Sequence, residues 1–126
     1  MDRERATTLA LVAGGGAAGA VCRHAVALAA DATLPAGFPF GTLAANVLGA
    51  FLLGVLLYER RLRDAVPARV RLVAGTGFLS SFTTYSTFAA ETAALPPALA
   101  AGNVAATYAL GFLAVVGGRA VAGWLS

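Results

Sequence analysis

Charged residues leave four long gaps in the chain. Ala6–Cys22, Ala32–Tyr58, Leu72–Ala90 and Thr92–Gly118 are runs of 17, 27, 19 and 27 residues without Asp, Glu, Lys or Arg. Each is near or above the roughly 20 residues that cross a bilayer as a helix. None alternates apolar and polar residues as a membrane β-strand would, so helices are the spanning solution. The pattern predicts spans over about Thr7–Ala30, Gly41–Tyr58, Leu72–Leu95 and Leu99–Val121. Pro35, Gly37 and Pro39 mark a turn within Asp31–Phe40, Pro96-Pro97 ends the third span, and the charged segment Glu59–Arg71 reads as a solvated loop. The predicted fold is an all-α membrane protein of four transmembrane helices, with residues 1–126 forming one subunit.

Composition removes the soluble alternatives. With 59% apolar and 12% charged residues in 126, the chain has too few polar side chains to coat a small soluble domain. High hydrophobicity excludes disorder, and the single cysteine, Cys22, excludes a disulfide scaffold. The first residues imitate a signal peptide, but Asp2 and Glu4 interrupt its basic region and Gly14–Gly16 its apolar one, so a retained first span is expected. The net charge is +3 and all nine basic residues are Arg, most of them flanking apolar runs, which indicates topology rather than nucleic-acid binding. Four spans put the N-terminus, Glu59–Arg71 and the C-terminal end on one side, with eight of the nine Arg, while Asp31–Phe40 and Pro96–Ala101 contain none. The positive-inside rule then places both termini in the cytoplasm.

Several motifs have bland explanations. Gly14-x-Gly16-x-x-Gly19 has the letters of a dinucleotide fingerprint without its strand, helix opening or acidic partner, whereas Gly15-x-x-x-Gly19 suits close packing of membrane helices. Cys22 and His24 lack the further ligands a metal site needs. No nucleophile–base set supports an enzyme, and no carboxylate lies within Ala6–Cys22 to couple protons as in a small multidrug exporter. Arg23 is costly inside a membrane, so it either snorkels toward the interface near Asp31 or faces an anion-attracting vestibule.

The remaining polar residues cluster in spans two and three. Thr42 and Asn46 are four apart and share a helix face, where the Asn amide serves either as an interhelical clamp or as a pore-facing donor for a small anion. Within Gly75–Phe88, seven of the fourteen residues are Ser or Thr, so the third span is expected to be broken mid-membrane. Carbonyls freed at such a break can bind Na⁺, the alternative being back-bonding of the hydroxyls to the preceding turn. Tyr85 and Phe88 are three apart and present ring edges, weakly positive, on one face.

Three motifs together resemble the Fluc/CrcB family of small fluoride channels: Gly15-Gly-x-x-Gly19-Ala-x-x-Arg23, Gly41-Thr-Leu-x-x-Asn46-x-x-Gly49-x-Phe51-x-x-Gly54, and Gly77-Phe-x-x-x-x-Thr83-Thr-x-Ser86-Thr-Phe88. The resemblance covers nearly the whole chain. It implies an antiparallel dual-topology dimer with two narrow pores, passive exit of fluoride from the cytoplasm, and a central structural Na⁺. By position, Asn46 matches the pore asparagine with Thr42 on the same wall, and Tyr85 and Phe88 match two pore phenylalanines. The backbone carbonyls of Ser80 and Thr83 match the Na⁺ ligands, Arg23 a vestibule position, Glu91 an acidic position beyond the aromatic pair, and Thr107 a hydroxyl of span four.

The chain departs from the family in having Ser80-Ser81 where Gly-Gly is usual, and Tyr85 for the first phenylalanine. These departures leave open a non-conducting or one-pore structural subunit. The one-sided Arg distribution implies insertion in one orientation and a heterodimer with an oppositely biased homologous subunit.

Overall fold

The computed structural model describes residues 2–58 and 64–125, and these contain helices and connecting turns but no strand. Helix α1 (Arg3–Thr33) starts at an Asp2 cap, whose Oδ1 accepts from the Arg5 amide at 2.8 Å. That cap satisfies a free donor of the first turn and carries the helix four residues upstream of the expected start at Thr7. At about 1.5 Å per residue, its 31 residues are longer than the hydrocarbon core is thick. Helix α2 (Phe40–Tyr58) follows the turn in which Gly37 takes a left-handed φ of 100°. This is a conformation suited to glycine, which has no Cβ to clash with the following carbonyl.

The third apolar run is assembled from short pieces. Helix α3 (Ala68–Leu72) continues into a π-helical stretch, Val73–Leu79, and a single turn α4 (Ser80–Phe82). Residues 83–85 leave the helix, with Thr83 extended at ψ 160°, before α5 (Ser86–Ala94). Helix α6 (Pro97–Trp124) then runs 28 residues from a Pro-Pro start, where proline loses no helical hydrogen bond. Of the expected loop Glu59–Arg71, residues 59–63 lie outside the described residues. The last four positions are helical, because Pro67 caps α3 and its carbonyl accepts from the Arg71 amide at 3.1 Å.

Among the described residues, three helices are long and apolar enough to cross a membrane: Arg3–Thr33, Phe40–Leu57 and Pro97–Trp124. The chain is an all-α, multi-pass membrane protein. Its core is made mostly of small residues, among them Gly15, Gly19, Ala45, Gly49, Gly77, Gly118 and Ala122, while Leu28, Leu52, Leu57, Phe112 and Leu113 face outward. That inversion is what lipid selects: apolar side chains gain nothing by leaving hydrocarbon, so helices associate where glycine lets backbones touch.

Two such seams organise the molecule. Helix α1 packs on the π-helical stretch, and a Cβ at Gly15 would come within 2.7 Å of the Val73 carbonyl oxygen, while one at Gly19 would collide with that of Phe78. Helix α2 packs on α6, where Gly118 abuts the Phe51 carbonyl and Gly54 that of Val115. Gly49 of α2 meanwhile abuts the Thr83 methyl, so α2 lies directly against the interruption in the third run.

Candidate functional site

The interruption at 83–85 is held by one side chain. Asn46 Nδ2 donates to the Thr84 carbonyl at 2.9 Å, and Asn46 Oδ1 accepts from the Thr84 amide at 2.8 Å. A primary amide matches a peptide group in both senses, which makes it suited to a backbone that has left its helix. Asn46 is therefore a clamp between α2 and the third run. Its amide nitrogen carries two hydrogens, of which the Thr84 carbonyl takes one.

The clamp alters the carbonyls around it. In a continuous helix the Thr84 amide would bond the Ser80 carbonyl and the Thr87 amide that of Thr83. Here the Thr84 amide bonds Asn46, and the Thr87 amide bonds Thr84 Oγ1 at 3.2 Å. The carbonyls of Ser80 and Thr83 thereby lose their usual helical donors. Ser80 itself has φ −66° and ψ −26°, ordinary helical values that require no glycine. Its hydroxyl bonds back to the carbonyls of Thr76 and Gly77, and Thr83 Oγ1 to that of Leu79 at 2.9 Å. Back-bonding of hydroxyls and freed carbonyls thus occur together, because the first uses Oγ atoms and the second the main chain.

Asn46, Ser80, Thr83, Tyr85, Phe88 and Thr107 line one groove of about 640 Å³ that opens on the outer face of the molecule. Tyr85 is 71% exposed there, with its ring centroid 5.9 Å from that of Phe88. Phe88 is buried and meets the Tyr108 ring edge-on at 6.2 Å and 83°. One turn before Asn46, Thr42 Oγ1 donates to Glu91 Oε1 at 3.0 Å, and Glu91 Oε2 is buried without a hydrogen-bond partner. Arg23 is half-buried, does not line this groove, and its Nε is likewise buried without a partner.

The sequence reading missed Asn103. It is the one fully buried large side chain among the described residues, and its Nδ2 donates to Thr92 Oγ1 at 2.8 Å. It stands four residues before Thr107 in an otherwise apolar run, the same spacing that singles out Thr42 and Asn46.

The comparisons with known proteins agree with one another. Residues 10–119 match the family described as CrcB-like protein, Camphor Resistance (CrcB). The fluoride-specific ion channel FluC 1 of Natronomonas pharaonis is 59% identical over 118 residues, covering 94% of this chain and 96% of the relative. FluC 2 of Halobacterium salinarum is 55% identical over 93% of this chain and 88% of its own. FluC of Methanopyrus kandleri is 43% identical over 93% and 90%. With a family match over most of its length and relatives this similar along nearly their whole chains, the protein belongs to the CrcB family.

Proposed function

We propose that the chain is a subunit of a fluoride-specific channel through which F⁻ leaves the cytoplasm passively, lowering its toxicity. The observation that carries this reading is the outward-opening groove: an amide, hydroxyls and aromatic edges on the surface of a membrane protein, where lipid offers no hydrogen bonds. Fluoride is small and strongly hydrated, so a path for it must replace water with donors. The second N–H of Asn46 is a neutral donor of that kind. Neutral groups bind weakly enough to release the ion, whereas a fixed positive charge in the path would hold it. The ring edges of Tyr85 and Phe88 continue the wall with weak positive potential. The relatives' names describe a channel, a conduit rather than an enzyme.

The groove is lined mostly by apolar surface with an amide and hydroxyls set into it, and a second subunit packed antiparallel against this face would cover those polar groups. The carbonyls of Ser80 and Thr83, relieved of helical amides, are hard oxygen ligands suited to Na⁺. Held by these carbonyls, Na⁺ would supply positive charge at the helix break. This chain's own part is to keep the break open through Asn46, and the helical backbone at Ser80 supports the view that serine preserves the ligand.

Purified protein in liposomes loaded with fluoride is expected to release it well above the leak of empty liposomes, as read by a fluoride electrode. No release, alone or with a homologous partner subunit, overturns the channel reading.

A second reading, a non-conducting or one-pore member of a heterodimer, is favoured by the exposed Tyr85 hydroxyl and by the eight Arg on one side. Relatives numbered FluC 1 and FluC 2 are in keeping with paired genes. Both termini are then cytoplasmic in a single orientation. Expressed alone and probed at its termini from each side of the membrane, the chain is expected to show that one orientation. A mixed population instead supports a homodimer.

A further inference from the structure

Helix α5 carries Phe88 and Glu91 but has only nine residues, too few to hold a helix by itself; the chain is extended at Thr83, three residues before it, and again at Leu95, where it ends. Its position therefore depends on its neighbours. At its start the main chain is clamped by Asn46, and farther along Glu91 is tied to α2 through Thr42. Toward α6 a directed series of bonds runs through Asn103. Thr107 Oγ1 donates to Asn103 Oδ1 at 3.5 Å, Asn103 Nδ2 to Thr92 Oγ1 at 2.8 Å, and Thr92 Oγ1 to the Phe88 carbonyl at 2.6 Å. Thr107 and Phe88 line the groove, whereas Asn103 is 1% exposed and stands behind it.

We propose that Asn103 is a positioning residue for anion selectivity: through Thr92 it fixes Phe88, and so sets the width of the path on its aromatic side. This rests on the channel reading above. This buried amide has one favourable orientation, since turning it over sets Oδ1 against Thr92 Oγ1, whose own hydrogen is given to the Phe88 carbonyl. The bond to Thr92 fixes α5 along its axis, and the Phe88 carbonyl receiving that hydroxyl belongs to the residue whose ring forms the wall. Loss of the bond lets α5 slide along α6 and the ring recede. A wider path discriminates less between fluoride and the larger chloride ion.

The test uses the full chain in liposomes, measuring fluoride and chloride efflux from the same preparations. Asn103→Leu keeps the volume roughly and removes both bonds. Thr92→Val keeps the shape and removes the hydroxyl. Each is expected to raise the chloride-to-fluoride ratio about tenfold, and the double variant no further than the larger single change, because both break one series. Thr33→Val, which removes a hydroxyl bonded to the Ala29 carbonyl on exposed α1, leaves the ratio unchanged. A monodisperse Asn103→Leu or Thr92→Val protein with the parent's ratio overturns the proposal, as does a double variant whose effects multiply.

If Asn103→Leu does not fold, Thr92→Val decides. If the parent carries no fluoride, alone or with a homologous partner subunit, the channel reading falls, and the contact is judged by a 4-fluorophenylalanine label at position 88. A ¹⁹F resonance shifted by Thr92→Val supports the positioning, and an unmoved one overturns it.

Discussion

Asn46→Asp is expected to reduce fluoride efflux at least about a hundredfold, which corresponds to about 2.7 kcal/mol at the barrier. The replacement keeps the oxygen that accepts from the Thr84 amide but puts a second oxygen where Nδ2 donates to the Thr84 carbonyl at 2.9 Å. In an environment of low dielectric, two facing acceptors repel, and the carboxylate adds a negative charge to the groove proposed to carry an anion. Both effects act in the same direction. Electrode-monitored efflux from liposomes measures the loss, and size-exclusion chromatography shows whether assembly persists. Flux near the parent's with an intact assembly removes Asn46 from the path.

Gly19→Val is expected to abolish accumulation of folded protein, whereas Gly14→Val on the same helix is tolerated. A Cβ at Gly19 would overlap the Phe78 carbonyl, a backbone group that cannot rotate away, while at Gly14 nothing lies within 4 Å. Overpacking of a close seam costs about 1–3 kcal/mol when neighbours can yield, and more when they are backbone. Helix propensity changes equally in the two variants, so their difference isolates the seam. The measurement is the yield of monodisperse protein in detergent and its thermal midpoint, with Gly19→Val at least on the order of 10 °C below Gly14→Val where it can be purified. Equal midpoints sink the seam argument.

These residues also show how much a sequence discloses about such a molecule. Helices α1, α2 and α6 are legible because each long charge-free run reports the thickness of lipid directly. The Ser/Thr density of Gly75–Phe88 marks the irregular region, but the π-helical stretch Val73–Leu79, which lies backbone to backbone against α1, leaves no periodic trace. The pairings of the site are long-range: Asn46 meets Thr84 across 38 residues and Thr42 meets Glu91 across 49. Helical spacing puts Thr42 and Asn46 on one face and cannot say what faces them. From sequence Asn46 reads either as an interhelical clamp or as a pore-facing donor, and its two bonds to Thr84 show the clamp while leaving one N–H for the donor role. Asn103 escaped because its partners are hydroxyls that helices ordinarily satisfy within their own turn.

The glycine-built interior has a thermodynamic consequence. Unfolding a soluble domain wets apolar side chains, which gives the large heat-capacity change and the curved dependence of stability on temperature. Separating α1 from the π-helical stretch, or α2 from α6, within lipid exchanges backbone contacts for contacts with acyl chains and hydrates little apolar surface. Disassembly of the inserted helices therefore carries a small heat-capacity change. Its free energy falls nearly in a straight line with temperature, with no cold limb, and tracks how well the surrounding lipid fills the space the glycines leave.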